Sequence, residues 1–250
     1  RGLGDVYKRQ IYSNPDKTAG WENTIRPASL SRSNANNTPT WDMVKAFPML
    51  DGKSFDDPTG KYYVGNEDVF LQRYWMNRDP RFEDCILYNA ALYPVSGTST
   101  GYRQYTSVGI AVREDSYGIN LNVGSTATQN DVISGMYVRK GSDVSLSQDL
   151  VSTFDHDYPF MRLAEVMFIY AEAANEVGHR DVAVDMLKQI RKRAGIEAGE
   201  DGLYGLKVGG REEIRQAILD ERNVELCFEG HRFMAVSYTH LRAHETELHL

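Results

Sequence analysis

The strongest pattern in the chain is helical. Leu163, Val166, Met167, Tyr170, Ala171 and Ala174 recur at three- and four-residue spacing as far as Gly178, the period of a helix that buries one face. Pro159 suits a first helical position, and Asp155 and Asp157 stand just ahead of it to complement the helix dipole. A second helix opens at Asp181, turns Ala183, Leu187, Ile190 and Ala194 inward and closes at Gly195. Glycine enters the left-handed conformation that ends a helix without strain. Joined by Gly178, His179 and Arg180, the pair reads as an antiparallel hairpin of about tetratricopeptide length, ~34 residues. Leu163, Met167, Ala171, Leu187 and Ile190 are its expected core. A third helix over 211–228 carries Ile214, Ala217, Ile218 and Leu226 and stops at Gly230. One hairpin cannot cover both its faces, so it calls for neighbours.

Upstream the pattern is shorter. Residues 11–40, rich in Asn, Ser, Thr and Pro, have no apolar period and read as loop. Thr40 can cap a short helix over 41–47, and Asn66 another that must stop before Asn77-Arg78-Asp79-Pro80. Both helices count Trp41 and Trp75 as core, and Asn77 to Phe82 reads as a rigid structural turn. Ile86-Leu87-Tyr88, Gly109-Ile110-Ala111-Val112 and Met136-Tyr137-Val138 are β-favouring runs too short for an independent sheet. The expected fold is mainly α: tetratricopeptide-like helical hairpins over 159–233, preceded over 11–158 by a long loop-rich segment with short helices and β-hairpins.

Composition narrows the function classes. With 41% hydrophobic and 25% charged residues in 250, the chain is neither disordered nor collagen-like. No apolar run approaches the roughly 18–20 residues of a spanning helix. A net charge of -7 argues against nucleic-acid binding, and the basic residues gather only at Lys188 and Arg191-Lys192-Arg193. Cys85 and Cys227, each in an apolar context, read as buried thiols. His240, His244, Glu245 and His249 imitate a helical zinc site, but they lie in 234–250. That segment and 1–10 resemble translated sequencing-adapter read-through and are expected to contact the remainder little. The native protein is expected to extend beyond this piece, and no metal or cofactor site is expected.

Several motifs stand in a fixed order: Pro39-Thr40-Trp41-Asp42-Met43-Val44, Asp51-Gly52, Asn77-Arg78-Asp79-Pro80-Arg81-Phe82, Gly135-Met136-Tyr137-Val138-Arg139-Lys140, Pro159-Phe160-Met161-Arg162-Leu163-Ala164-Glu165, Tyr170-Ala171-Glu172-Ala173, Ile190-Arg191-Lys192-Arg193-Ala194-Gly195 and Glu221-Arg222-Asn223-Val224-Glu225-Leu226-Cys227-Phe228-Glu229-Gly230-His231-Arg232-Phe233. Together they closely resemble the SusD/RagB family over roughly 11–233. Past Phe233 the family's pattern is broken. The resemblance implies a surface glycan-binding lipoprotein of Bacteroidetes-type bacteria, seated over a TonB-dependent, SusC-like outer-membrane transporter. It would be held to the membrane only by a lipid anchor outside this sequence, and would take oligosaccharide or polysaccharide.

The acidic helices are tempting as a catalytic site, but a structural ion network explains them. Arg162, Glu165, Glu172 and Glu176 lie along one helix face, and Arg191, Glu221, Arg222, Glu225, Glu229 and His231 can pair with it. A glycosidase needs two carboxyls about 5–9.5 Å apart across a cleft, and no nucleophile or phosphate-loop motif appears. Sugar recognition instead asks for aromatic platforms and polar donors on loops. The candidates are Trp21, Tyr62 and Tyr63, Tyr93, and Tyr102 with Arg103. Two alternatives remain beside a non-catalytic glycan binder: a helical-repeat scaffold that holds peptides or proteins, and a glycoside hydrolase.

Overall fold

A computed structural model describes residues 8–9, 20–27, 30, 37–106, 113–114, 120–121, 135–154 and 159–231. Its helices are α1 (Gly20–Ile25), α2 (Trp41–Ala46), α3 (Glu67–Leu71), α4 (Pro80–Cys85), α5 (Leu163–Glu176), α6 (Arg180–Ala194) and α7 (Arg211–Glu225). Its strands are β1 (Lys8–Arg9), β2 (Ile86–Leu87), β3 (Ala91–Leu92), β4 (Arg103–Gln104), β5 (Arg113–Glu114), β6 (Asn120–Leu121), β7 (Tyr137–Val138) and β8 (Pro159–Met161). They pair two by two, β1 with β8, β2 with β7, β3 with β4 and β5 with β6. The fold is mainly helical and tetratricopeptide-like, with small two-stranded sheets in loops, as the residue pattern indicates.

The chain divides into two compact units. The first joins Ala46–Phe70 to Met161–Leu250 and holds the three long helices. α5 and α6 form the expected hairpin, with α7 packed on both. Gly178 (φ 93°) and Gly195 (φ 87°) end the two helices in the left-handed conformation. Ala164, Phe168, Ala171 and Ala174 of α5 meet Ala183, Leu187 and Ile190 of α6 and Ile214 and Ile218 of α7 in one apolar cluster.

Two expectations for α5 need correction. Pro159 lies in β8, and the helix begins only at Leu163, after Arg162 in an extended conformation. The buried face is also turned by about 100°, one residue's rotation. Leu163 is 46% exposed, with Val166, Ile169 and Tyr170 also on the outside, while Phe168 is fully buried. Seven of the eight residues from 163 to 170 are apolar, so the period alone does not select a face. The close approach of α6 is what favours the alanine side.

The second unit joins Lys8–Lys45 to Leu71–Phe160. Within the stretch expected as loop it forms α1, one and a half turns long, too short for a sequence period. The buried Glu22 and Arg26 at i, i+4 hold α1 together, 2.6 Å apart. Arg26 also donates to the Leu146 and Asp143 carbonyls, and Glu22 accepts from the Asp143 N–H and, at 3.0 Å, from Ser142. The Thr40 hydroxyl accepts from Met43 N–H to start α2. Before α4, the expected rigid turn is present: Asp79 caps the helix by accepting from Arg81 N–H, with Pro80 at the first helical position. Arg78 is buried and donates to the Val44 and Tyr74 carbonyls. Two of the β-favouring runs pair antiparallel with each other, Ile86 opposite Val138 and Leu87 opposite Tyr137. The run at 109–112 lies outside the described residues, as do 232–250. Of the leading segment only Lys8 and Arg9 are described, and they pair with β8.

Leu187, fully buried, and Leu163, half exposed, separate the two assignments of the helix face. Leu187→Ala should cost about 2–5 kcal/mol in urea melts, whereas Leu163→Ser should stay within about 0.5 kcal/mol. Equal losses at both positions would mean that α5 packs on its other face.

Candidate functional site

The charged residues of the first unit form a network of buried pairs. Arg162, on the extended residue before α5, reaches α7: one guanidinium nitrogen lies 2.5 Å from Glu225 and another 2.7 Å from Glu229. Arg193 reaches the same Glu225 carboxylate from α6 at 2.5 Å. Arg191 donates to Glu221 at 2.6 Å and to the carbonyls of Gly52 and Tyr204 at 2.9 and 2.7 Å. Glu165 faces Arg222 at 3.7 Å and His231 at 3.2 Å. Burial works against the charge on Arg162, but the two glutamates outweigh it and raise its pKa. Arg162, Glu165, Arg191, Glu221 and Arg222 each take part in these pairs. Glu172 is a correction: it is half-buried and pairs with none of the described residues. Arg193 and Arg215 join instead, the latter at 2.7 Å from Glu176. Their sequence signal was only a basic run and an exposed helix position.

The aromatic candidates scatter. Tyr62 and Tyr63 lie in the first unit. Tyr62 is half-buried and donates to Glu197 at 2.8 Å, with the Lys61 ammonium 4.9 Å from its ring centroid, whereas Tyr63 is exposed. Trp21, Tyr93, Tyr102 and Arg103 lie in the second unit. Trp21 packs on a turn, with its indole N–H donating to the Lys140 carbonyl at 3.3 Å and Gly141 against the ring. Tyr93 is only 1% exposed, with its hydroxyl 2.6 Å from that of Ser142, so its ring face is closed to a ligand. Tyr102 is half-buried and donates to Gln104. Arg103 stands at the surface on β4 and donates to the Ala90 carbonyl at 2.8 Å.

A cluster of rings was not anticipated as a surface feature. Tyr74 meets Trp41, Trp75, Phe82 and Tyr88 edge-on, at centroid distances of 5.5, 5.2, 6.3 and 6.1 Å. Tyr88 stacks between Phe82 at 5.7 Å and Trp75 at 6.1 Å, and its hydroxyl donates to Glu83 at 2.6 Å. Arg78 lies 4.6 Å from the Phe82 ring, and burial pulls its pKa down to about 10. Trp75, expected in the core, is 40% exposed. α3 ends at Leu71, and Asn77 takes a positive φ of 54°, so the turns between them swing Trp75 outward.

Among the described residues no group of three or more metal-ligating side chains could hold a cation. Cys85 and Cys227 are both buried and form no disulfide. Among the described residues no helix is long and apolar enough to cross a membrane.

Comparison with known proteins decides the family. The profile of the SusD family matches residues 5–236, running a few residues into both flanking segments. The chain belongs to the SusD family. SusD-like protein P2 of Formosa agariphila is 37% identical over 79 residues, 31% of this chain and 16% of that protein. SusD-like protein P38 of the same organism is 28% identical over 81 residues, 32% of this chain and 16% of its own length. A crystal structure of a SusD-like protein from Bacteroides fragilis superposes with a TM-score of 0.62 at 21% identity, covering 93% of this chain and 42% of that one. A SusD-like carbohydrate-binding protein from the same species gives 0.59 at 21%, covering 86% and 38%. These structures share the fold, and the chain spans less than half their length.

Burial raises Tyr74, Tyr88, Tyr93 and Tyr102 above the ordinary tyrosine pKa of 10.0, Tyr88 furthest, with its bond to Glu83 adding to the effect. A pKa raised in the folded state favours the protonated fold, so this stability is present below pH 10.0 and lost as pH rises beyond it. These four phenols should titrate above pH 10.0, Tyr88 last, as followed by phenolate absorbance beside circular dichroism. Titration of all four below pH 10.0 in a still-folded chain would contradict the burial.

Proposed function

We propose that the chain is part of a non-catalytic protein that binds oligosaccharide or polysaccharide at the bacterial outer surface and passes it to a TonB-dependent, SusC-like transporter. Membrane attachment is through a lipid anchor outside this sequence, and the role needs no cofactor. Membership of the SusD family and the likeness to a SusD-like carbohydrate-binding protein support this reading.

The observation that carries the non-catalytic part is the state of the buried acids. Glu22, Asp79, Glu221 and Glu225 are each held by an arginine, at 2.6, 2.6, 2.6 and 2.5 Å, and Glu165 lies 3.7 Å from Arg222 and 3.2 Å from His231. A glycosidase needs one carboxyl free to donate a proton and another to attack or activate water. Carboxylates spent on guanidinium groups supply structure.

One observation favours a second, compatible reading of the first unit as a protein-contact scaffold. Leu163, Val166 and Tyr170 leave an apolar stripe on the outer face of α5, with Val177 at its C-cap, and an exposed apolar stripe marks a contact surface.

Calorimetric titration with oligosaccharides should give dissociation constants between micromolar and millimolar, about 4–8 kcal/mol, with no reducing sugar released. Glu221→Gln should lower the melting temperature and leave sugar affinity within about twofold, because it leaves Arg191 short of a buried partner. Reducing sugar released by the wild type and lost in Glu165→Gln or Glu172→Gln would establish a hydrolase instead.

A further inference from the structure

We propose that Trp75 is the stacking platform of a subsite for a neutral pyranose, with Glu83 and Arg103 at its rim taking the sugar hydroxyls. The proposal rests on the glycan-binding reading above and names the place where it acts.

Trp75 is unusual in being both exposed and rigidly seated. One ring face lies along Tyr88, 13° from parallel, and its edge meets Tyr74 at 85°. Both supports are themselves fixed. Tyr88 is 9% exposed and clamped by its bond to Glu83, and Tyr74 is wedged against Trp41 and Phe82. Trp75 is left 40% exposed, beside the exposed Met76. An indole whose neighbours already hold its orientation loses little conformational freedom when a ligand covers it. The flat apolar C–H face of a pyranose matches such a surface.

The rim supplies what the hydroxyls need. The Glu83 carboxylate is exposed, takes one hydrogen bond from Tyr88 and has lone pairs remaining for further donors. Arg103 is exposed and spends one N–H on the Ala90 carbonyl, and its charge acts on the Tyr88 hydroxyl. A guanidinium carries five donors in a planar fork, suited to adjacent hydroxyls. Both groups act on Tyr88, the ring on which Trp75 stacks, Glu83 through its hydrogen bond and Arg103 through its charge. An acceptor and a donor of opposite charge together favour a neutral sugar. A uronate would meet Glu83 and its exposed neighbour Asp84.

The test uses the full 250-residue chain and the probes maltohexaose, cellohexaose, xylohexaose, mannohexaose and an oligogalacturonate, read by calorimetry and tryptophan fluorescence. At least one neutral sugar should bind and shift the emission. Trp75→Ala should weaken that binding about fivefold or more in a chain that circular dichroism shows still folded, since one ring contact is worth about that much. Trp75→Phe should recover part of it, and Glu83→Gln and Arg103→Ala should each weaken it by a smaller factor. Unchanged affinity in Trp75→Ala overturns the proposal while the glycan-binding reading stands. Preference for the galacturonate overturns the assignment to neutral sugars. A wild-type chain that binds none of the probes overturns the glycan-binding reading, and the subsite with it.

Discussion

A guanidinium taken out of water must find acceptors or it destabilises the fold by several kcal/mol, and this requirement organises both units. Arg191 sits on α6 at the centre of the first. Its three bonds go to Glu221 on α7 and to the carbonyls of Gly52 and Tyr204. Two loops and two helices thus converge on one side chain. The approach is so close that a Cβ on Gly52 would fall 2.0 Å from the Tyr204 carbonyl oxygen, and the backbone there has φ 78°. Glycine is needed on both counts. In the second unit Arg26 has the same role, joining α1 to the carbonyls of Asp143 and Leu146, and Arg78 joins the turn before α4 to α2. Ion pairs of this kind add little net stability over a well-packed apolar core, but they penalise every arrangement that leaves a charge unpaired. Packing of Ala164, Phe168, Leu187 and Ile218 supplies stability, and the arginines specify which arrangement is stabilised.

That division explains what could be read from the sequence. The α5–α6 hairpin was legible because its limits are local: Gly178 and Gly195 end the helices by their own backbone conformation. The pairing of Ile86-Leu87 with Tyr137-Val138 joins two visible β-favouring runs. The inward face of α5 was not legible, because Leu163, Val166 and Ile169 are as apolar as Phe168, and only α6 distinguishes them. Helix α1 was hidden because its stability comes from residues about 120 positions away, through the Glu22–Arg26 pair.

The candidate site was less legible, for a related reason. Trp21 and Tyr93 stand among loop residues and look available. Yet the Lys140 carbonyl occupies the first and the Ser142 hydroxyl the second, both contacts between distant positions. Trp75 shows the converse. Helical spacing places it inside, but α3 stops one turn early and the chain turns it out again. Arg103 was foreseen as a loop donor and does stand at the surface, where it donates to the Ala90 carbonyl and its charge acts on the Tyr88 hydroxyl.

The charges serve architecture, and the exposed aromatic cluster is the place proposed for recognition. Side-chain NMR of the nitrogen-15-labelled protein tests this most directly, by following the tryptophan indole N–H and arginine Nε–H signals together during titration with a bound oligosaccharide. The Trp75 indole should move progressively with sugar, while the signals of Arg162, Arg191 and Arg222 stay in place. Movement of those arginines with a stationary Trp75 would put the ligand on the helices and contradict the assignment.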